Sequence, residues 1–210
     1  SRKTLKAVEN VSFGVEQNSI CVLLGQSGCG KSTVLRLIAG LETATGGRVA
    51  LGGKAVTGPG QDRGMVFQAY TSFDWLSVRK NVEFGMKVNN IDAAKRRERT
   101  NHFLNLVGLS KFADAYPSQL SGGMRQRVAI ARTLANDPEV LLMDEPFGAL
   151  DAETRWLMQE LMIDVAEKTN TTMVIVTHDL EEAIFLADKI IFLSNHPGRV
   201  KEEIIPAFKA

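Results

Sequence analysis

The sequence predicts an α/β fold, in which helices cover a mixed, mainly parallel β-sheet. Five short apolar runs, each bounded by turn residues, carry Val, Ile and Leu on successive positions, which is typical of strands buried on both faces of a parallel sheet. They are ICVLLG (20–25), RGMVFQ (63–68), EVLLMDEP (139–146), TMVIVTH (172–178) and KIIFLSN (189–195). Helical patterns lie between these runs, and the alternation of strand and helix indicates the class.

Two helices can be placed by their apolar spacing and their ends. Residues 31–39 carry apolar side chains on one face and stop at Gly40, a residue type that commonly ends a helix. Residues 152–168 repeat apolar side chains at four-residue spacing, which predicts an amphipathic helix.

The remaining segments differ in pattern. Residues 7–19 and 46–56 alternate apolar and polar side chains and contain turn glycines, so we expect short antiparallel strands and an N-terminal antiparallel β subdomain. Residues 80–136 have helical patterns without a strong strand run, which predicts an inserted α-helical subdomain.

The length and composition favour one domain. A chain of 210 residues with 44% hydrophobic content can bury a substantial core. No internal repeat or long linker interrupts it. We predict a single domain, residues 1–210, with a core lobe (1–68 and 137–210) and a helical lobe (69–136).

Charge and apolar runs exclude several functions. The 25 Lys and Arg residues against 24 Asp and Glu give a net charge of +1, so the whole chain offers no electrostatic footprint for nucleic acid. The basic run 95–99 lies in a predicted helix and is expected on its solvated face, with contact to membrane headgroups or nucleic acid as the alternative. No apolar run is long enough to span a bilayer or act as a secretory signal. Cys21 and Cys29 have neither metal nor disulfide spacing, which fits a reducing, cytosolic setting.

The loop after the first buried strand is the strongest functional motif. GQSGCGKS fits G-x-x-x-x-G-K-[ST] between a strand and a helix. Its backbone N–H groups can surround a polyphosphate, Lys31 can bridge the β and γ phosphates, and Ser32 can coordinate Mg²⁺. The candidate nucleotide-binding residues are Gly25, Gln26, Ser27, Gly28, Cys29, Gly30, Lys31, Ser32 and Thr33, of which Thr33 mainly supports the helix turn.

An acidic pair follows another strand. The run VLLMDEP ends in Asp144 and Glu145, and strands of open α/β sheets deliver such residues to the edge where ligands bind. Asp144 suits the Mg²⁺ shell, and Glu145 can orient a water, or take a proton from it, in line with the γ-phosphate. The loop and this pair together predict a nucleoside triphosphatase.

A third motif, LSGGMRQR (120–127), places Ser121 as a potential N-cap before two glycines and a helix. With GQSGCGKS, Gln68, VLLMDEP, GALD and His178 in this order, the whole chain resembles the ATPase subunit of an ATP-binding-cassette (ABC) transporter.

The resemblance implies roles for further residues. Gln68 matches the glutamine that contacts Mg²⁺ or the attacking water, and His178 the histidine that hydrogen-bonds the γ-phosphate. Ser121, Gly122 and Gly123 match the signature that reaches the γ-phosphate held by the other subunit, and Asp151 matches an aspartate at the dimer interface. His102 and His196 match nothing and are expected to be structural.

The resemblance also implies a mechanism and partners. Two copies, expected to be identical, pack head to tail around two ATP molecules, and hydrolysis reopens the dimer. The subunit is expected on the cytoplasmic face of the membrane, bound to transmembrane permease subunits and served indirectly by an external solute-binding protein. In the segment 69–82, Phe73, Trp75 and Leu76 either contact a permease helix or are buried in their own lobe.

Within the family, the residues of several motifs, among them DEPFGALDAETR and SNHPGRV, are similar to those of the nitrate, sulfonate and taurine importers. Three features depart from the common pattern. No residue matches the adenine-stacking aromatic, Met124 replaces a more widespread glutamine, and Asp74 stands where proline is common.

Two other functions compete with transport. Soluble ABC ATPases of translation or DNA maintenance typically have two cassettes or an inserted coiled coil, whereas this sequence has one cassette and no heptad array. A nucleotide-dependent scaffold that does not hydrolyse ATP would need neither Glu145 nor His178.

Overall fold

The computed structural model describes residues 6–69 and 71–206. Residues 1–5, which open the predicted core lobe, and Tyr70, within the segment 69–82, lie outside this range, as do residues 207–210. The strands are β1 (Ile20–Leu24), β2 (Ala50–Leu51), β3 (Lys54–Ala55), β4 (Arg63–Val66), β5 (Val140–Asp144), β6 (Thr172–Thr177), β7 (Lys189–Leu193) and β8 (Val200–Ile204). The α-helices are α1 (Lys31–Ala39), α2 (Val78–Val88), α3 (Ala93–Leu106), α4 (Gly122–Leu134), α5 (Ala152–Thr169) and α6 (Leu180–Leu186).

Six strands form one sheet in the order β4-β5-β6-β1-β7-β8. The first five are parallel, and β8 pairs antiparallel with β7. The mixed, mainly parallel sheet is therefore confirmed. Because the parallel strands all run the same way, their carboxyl ends meet at one edge, where the loops after β1, β4, β5 and β6 come together.

The sheet is buried on both faces because successive side chains of each central strand point to opposite sides. On β1, Val22 and Leu24 join a core cluster that includes residues of α2 to α6. Cys21 and Leu23 join a second cluster with α1 and the half-buried side chains of the N-terminal segment. This two-sided burial explains why the strands appear in the sequence as continuous apolar runs rather than alternating ones.

The N-terminal antiparallel sheet consists of β2 and β3 alone. The expectation of strands over residues 7–19 is wrong. Within the described residues, this segment has only an isolated parallel bridge from Val8 to Gly198. Its alternating apolar residues, among them Val11, Phe13 and Val15, pack against the core cluster of α1, so the alternation reflects one-sided packing without a strand ladder.

The helical region between β4 and β5 contains α2, α3 and α4. Its buried side chains join the same core cluster as β5 and β6, and α4 also contacts β4. In α3, residues 95–99 are exposed or half-buried, as expected for a solvated helix face. None of the helices in residues 6–69 and 71–206 combines the length and the apolarity that crossing a membrane requires.

Candidate nucleotide site

The loop between β1 and α1 turns through two glycines with left-handed backbone. Gly28 has φ 81° and Gly30 φ 98°, and a Cβ on Gly30 would lie 2.5 Å from the Val8 side chain. The Gly30 carbonyl accepts the Val34 N–H at 3.0 Å, which begins α1. A loop of this shape directs N–H groups inward at the positive end of a helix, so it can bind an anion through its backbone.

Lys31 is buried inside this loop, with 4% of its surface exposed. Its ammonium group donates hydrogen bonds to the carbonyl of Gly25 at 2.7 Å and to that of Gln26 at 3.0 Å. Two backbone carbonyls of the loop therefore hold the Lys31 ammonium group inside it.

Ser32 and Asp144 meet although 112 residues separate them. The Ser32 hydroxyl donates to Asp144 Oδ1 at 2.9 Å, because α1 begins directly beside the end of β5. A hydroxyl and a carboxylate are hard oxygen ligands of the type that Mg²⁺ prefers. No group of three or more His, Cys, Asp or Glu side chains in the described residues could hold a metal, so a cation here would need phosphate and water oxygens as well.

Glu145 lies between Gln68 and His178. Gln68 Nε2 donates to Glu145 Oε2 at 3.2 Å, and His178 Nδ1 lies 3.5 Å from Glu145 Oε1. The Glu145 backbone has φ 44° and donates its N–H to the carbonyl of Val176 at 3.0 Å. This contact holds the backbone of Glu145 against β6, and the carboxylate lies between Gln68, after β4, and His178, after β6.

The signature residues contact their own helix instead of the phosphate loop. Ser121 is the N-cap of α4 and accepts the Met124 N–H at 3.3 Å. Gly123 is buried against α5, where an added Cβ would lie 2.6 Å from Thr154 Cγ2. Among the described residues, no hydrogen bond or ion pair joins positions 121–123 to positions 25–33.

Asp151 is likewise a helix cap. Its carboxylate accepts the Thr154 N–H at 3.0 Å at the start of α5, and the backbone N–H of Thr154 lowers the pKa of Asp151. The structure therefore brings together the phosphate loop, Gln68, the acidic pair and His178, and leaves the signature and Asp151 outside this cluster.

A buried polar network behind His178 is not indicated by any sequence motif considered above. Thr177 Oγ1 donates to Glu182 Oε2 at 2.6 Å, and burial raises the pKa of Glu182. Arg155 Nε lies 3.8 Å from Glu182 Oε1, and the Arg155 guanidinium donates to the carbonyl of Leu150 at 3.1 Å. The acid is thus anchored between the loop of His178 and the start of α5.

The two remaining histidines lie in different surroundings. His102 is exposed on α3 with its ring edge-on to Phe103 at 5.0 Å. His196 lies beside the phosphate loop. Its Nε2 is 3.7 Å from the position that a Cβ of Gly28 would occupy. The structural role expected of both residues stays a prediction.

Phe73 and Phe84 line a cavity of about 340 Å³ between the helical region and β4. The Phe73 ring lies 5.3 Å from that of Trp75 and 4.6 Å from that of Phe84, and the Arg132 guanidinium lies 4.9 Å from its centroid. Trp75 is 73% exposed, whereas Phe73 and Leu76 are half-buried. Phe73 and Leu76 are therefore partly buried in their own lobe, whereas Trp75 lies on the surface.

The fold and the site together define a P-loop nucleoside triphosphatase. The defining features are a mainly parallel sheet, a glycine-rich phosphate loop at its carboxyl edge, a hydroxyl–carboxylate pair and a neighbouring glutamate. Residues 8–148 match the profile of the ABC transporter family. The chain belongs to this family and is an ATPase of the ABC type.

Two relatives show which ABC transporters this chain is similar to. The nitrate import ATP-binding protein NrtD of Synechocystis sp. is 49% identical over 203 residues, which are 97% of this chain and 76% of NrtD. The taurine import ATP-binding protein TauB of Rhizobium johnstonii is 49% identical over 198 residues, 94% of this chain and 76% of TauB. The expected resemblance to the nitrate, sulfonate and taurine branch is confirmed.

Among solved structures, the fold is similar to the dimeric post-hydrolysis state of the ATP-binding cassette MJ0796 bound to ADP and Pi. The TM-score is 0.84 at 32% identity, with 98% of this chain and 93% of that chain covered.

Proposed function

We propose that this chain is the ATP-hydrolysing subunit of an importer and couples closure of a head-to-tail dimer to solute uptake through separate membrane subunits. The observation that carries the proposal is the convergence of Gln68, Glu145 and His178 beside the phosphate loop. The names of the relatives NrtD and TauB supply the direction of transport.

The phosphate loop, residues 25–33, would hold the triphosphate of ATP. Its backbone N–H groups and the start of α1 supply partial positive charge. Lys31 already lies within the loop, held by two carbonyl oxygens, and it can exchange these acceptors for the β and γ phosphates. Binding would then replace weak neutral acceptors by charged ones.

Ser32, Asp144 and Gln68 would hold Mg²⁺ together with phosphate and water oxygens. The contact between Ser32 and Asp144 fits this assignment, because the Ser32 hydroxyl can turn its proton away from Asp144, and both residues would then offer oxygen atoms to a cation. When bound, Mg²⁺ neutralises charge on the phosphates. Gln68 lies on the side of Glu145, so its amide would order water between the cation and that carboxylate.

Glu145 would act as the general base or the orienting group for the attacking water. Its carboxylate is 20% exposed, and it is held from one side by Gln68 and approached from the other by His178. The His178 imidazole is 55% exposed, so it can turn toward the γ-phosphate and stabilise charge there. Positioned groups of this kind supply most of the catalysis in phosphoryl transfer.

Ser121, Gly122 and Gly123 would complete the site of a second, identical subunit, and Asp151 would lie at the interface between the two subunits. They have no bond to the phosphate loop of their own chain, and the start of α4 carries N–H groups suited to an anion. The structure of the MJ0796 cassette, which is dimeric and bound to ADP and Pi, supports the formation of a dimer. ATP would stabilise the closed pair, because closure adds donors to the nucleotide charge.

The surface around Trp75 and the cavity beside Phe73 would receive a cytoplasmic helix of a permease subunit. Exposed aromatic side chains next to a mainly apolar cavity suit the apolar face of an amphipathic partner helix. The subunit would then be peripheral on the cytoplasmic face of the membrane and would meet the external solute-binding protein only through the permease. We propose nitrate, a sulfonate, taurine or a related anion as the solute, selected by those other proteins.

Mixed dimers test the proposal. A Lys31→Ala protein lacks a working phosphate loop, and a Ser121→Arg protein lacks a working signature, so each alone should be inactive. Their mixture forms dimers with one intact site, and ATP turnover should reappear. Continued inactivity of the mixture, with both variants folded by circular dichroism, would contradict the head-to-tail site.

A further inference from the structure

The loop between β7 and β8, residues 194–199, is built against the phosphate loop. The Leu193 carbonyl oxygen, at its start, lies 2.9 Å from the position that a Cβ of Gly25 would occupy. At the other end, a Cβ on Gly198 would lie only 2.0 Å from the Cys29 carbonyl oxygen. Neither Gly25 nor Gly198 could carry a Cβ without a steric clash, so the two loops pack directly against each other.

This loop is also held by bonds of its own. The Ser194 N–H donates to the Arg199 carbonyl at 2.9 Å, and the Arg199 N–H donates to Ser194 Oγ at 3.3 Å. The Gly198 N–H donates to the Ala7 carbonyl at 3.0 Å, and Arg199 forms an ion pair with Glu9. The loop is therefore a fixed support, anchored to the N-terminal segment.

One side-chain contact connects this support to the nucleotide site. The Asn195 amide donates to Gln26 Oε1, across 169 residues of sequence. The Gln26 backbone carbonyl in turn accepts the Lys31 ammonium at 3.0 Å. The position of Lys31 thus depends on Gln26, and the side chain of Gln26 is held by Asn195.

We propose that Asn195 is a positioning residue for the nucleotide: it holds Gln26, and through Gln26 the phosphate loop and Lys31, in the shape that binds ATP. This inference rests on the proposed ATP site and adds a residue from a loop that carries no nucleotide-binding motif. Without the contact, the first turn of the phosphate loop samples more conformations, and binding must order it.

The experiment measures the affinity for Mg·ATP by calorimetry, together with KM and kcat, in the wild type and in Asn195→Ala. Because Asn195→Ala removes one hydrogen bond, we expect the affinity for Mg·ATP to be about twofold to tenfold weaker. The loss should appear in KM rather than in kcat, because Asn195 touches no reacting group. Asn105→Ala, an exposed amide on α3, is the matched control and should bind like the wild type.

Two further variants separate positioning from a general loss of structure. Gln26→Ala should weaken affinity as much as Asn195→Ala, and the double variant should lose no more, since both remove one contact. Exchanging the two side chains, Gln26→Asn with Asn195→Gln, keeps the amide pair and should restore most of the affinity.

The outcomes are distinct. An Asn195→Ala protein with wild-type affinity, or losses that add in the double variant, would overturn this inference and leave the proposed function intact. A wild-type protein that binds no ATP would overturn both.

Discussion

Replacing Glu145 by Gln tests the chemistry of the site with little change in shape. Glutamine has nearly the same volume, and its Oε1 can still accept the hydrogen bond that Gln68 donates at 3.2 Å. It cannot take a proton from water. The phosphate loop and the Ser32–Asp144 pair do not depend on Glu145, so ATP binding should persist.

The size of the loss distinguishes the two roles that Glu145 can have. A general base typically contributes about a hundredfold to ten-thousandfold, which equals about 3–5 kcal/mol of activation free energy. A residue that only orders its neighbours through one hydrogen bond contributes about 0.5–1.5 kcal/mol, or about twofold to tenfold. We expect the larger loss, with a closed ATP-bound dimer that accumulates.

The assay is steady-state phosphate release at saturating ATP, with dimer formation followed by size-exclusion chromatography. Glu98→Gln, on the exposed side of α3, controls for the loss of one carboxylate. If turnover of Glu145→Gln fell by less than about tenfold while the protein stayed folded and bound ATP, the role of Glu145 as a base would be refuted.

Three other predictions concern the metal, the core and the thiols. Asp144→Asn should raise the Mg²⁺ concentration needed for half-maximal turnover, because the proposed metal site loses a carboxylate oxygen; an unchanged Mg²⁺ titration would argue against that site. Leu142 is fully buried on β5, so Leu142→Ala should lower the free energy of unfolding, measured in urea, by about 2–5 kcal/mol. Leu157→Ala, at an exposed position, should lower it far less, and equal losses would contradict the packing described. Burial raises the pKa of Cys21 to about 12, so this thiol should stay unmodified by a thiol reagent at pH 8 until the protein is unfolded, and rapid labelling of the native protein would show that β1 is accessible.

Local patterns were enough to predict the elements that build the site. The predicted bounds of α1 agree with the structure because Gly30 and Gly40, which take left-handed backbone, end the helix on both sides. The apolar run before Asp144 predicts a buried strand, and the parallel sheet then carries Asp144 to the same edge as Ser32. Parallel order is thus sufficient to bring distant motifs together.

Elements whose position depends on tertiary contacts were not predictable in this way. Strand β8 is largely exposed at the sheet edge, with the sequence VKEEI, so it lacks the apolar run that marks the central strands. Residues 7–19 have strand-like alternation, but within the described residues their backbone pairs with other segments only at isolated points, such as the bridge from Val8 to Gly198, so no ladder forms. The contact of Asn195 with Gln26 joins two exposed amides from distant segments, and no local pattern in either segment indicates that they pair.

The charge of Asp151 constrains how it can act in the proposed dimer. Its pKa is lowered by the Thr154 N–H, so the carboxylate stays ionised at neutral pH and would repel a triphosphate. A direct role in binding ATP therefore does not suit it, and we expect the carboxylate to face a donor of the second subunit. Ser121 differs, because its hydroxyl accepts from Met124 and can still donate its own proton to an anion. Of these two helix caps, Ser121 is thus the one suited to touch the nucleotide, and Asp151 is suited to hold the subunits together.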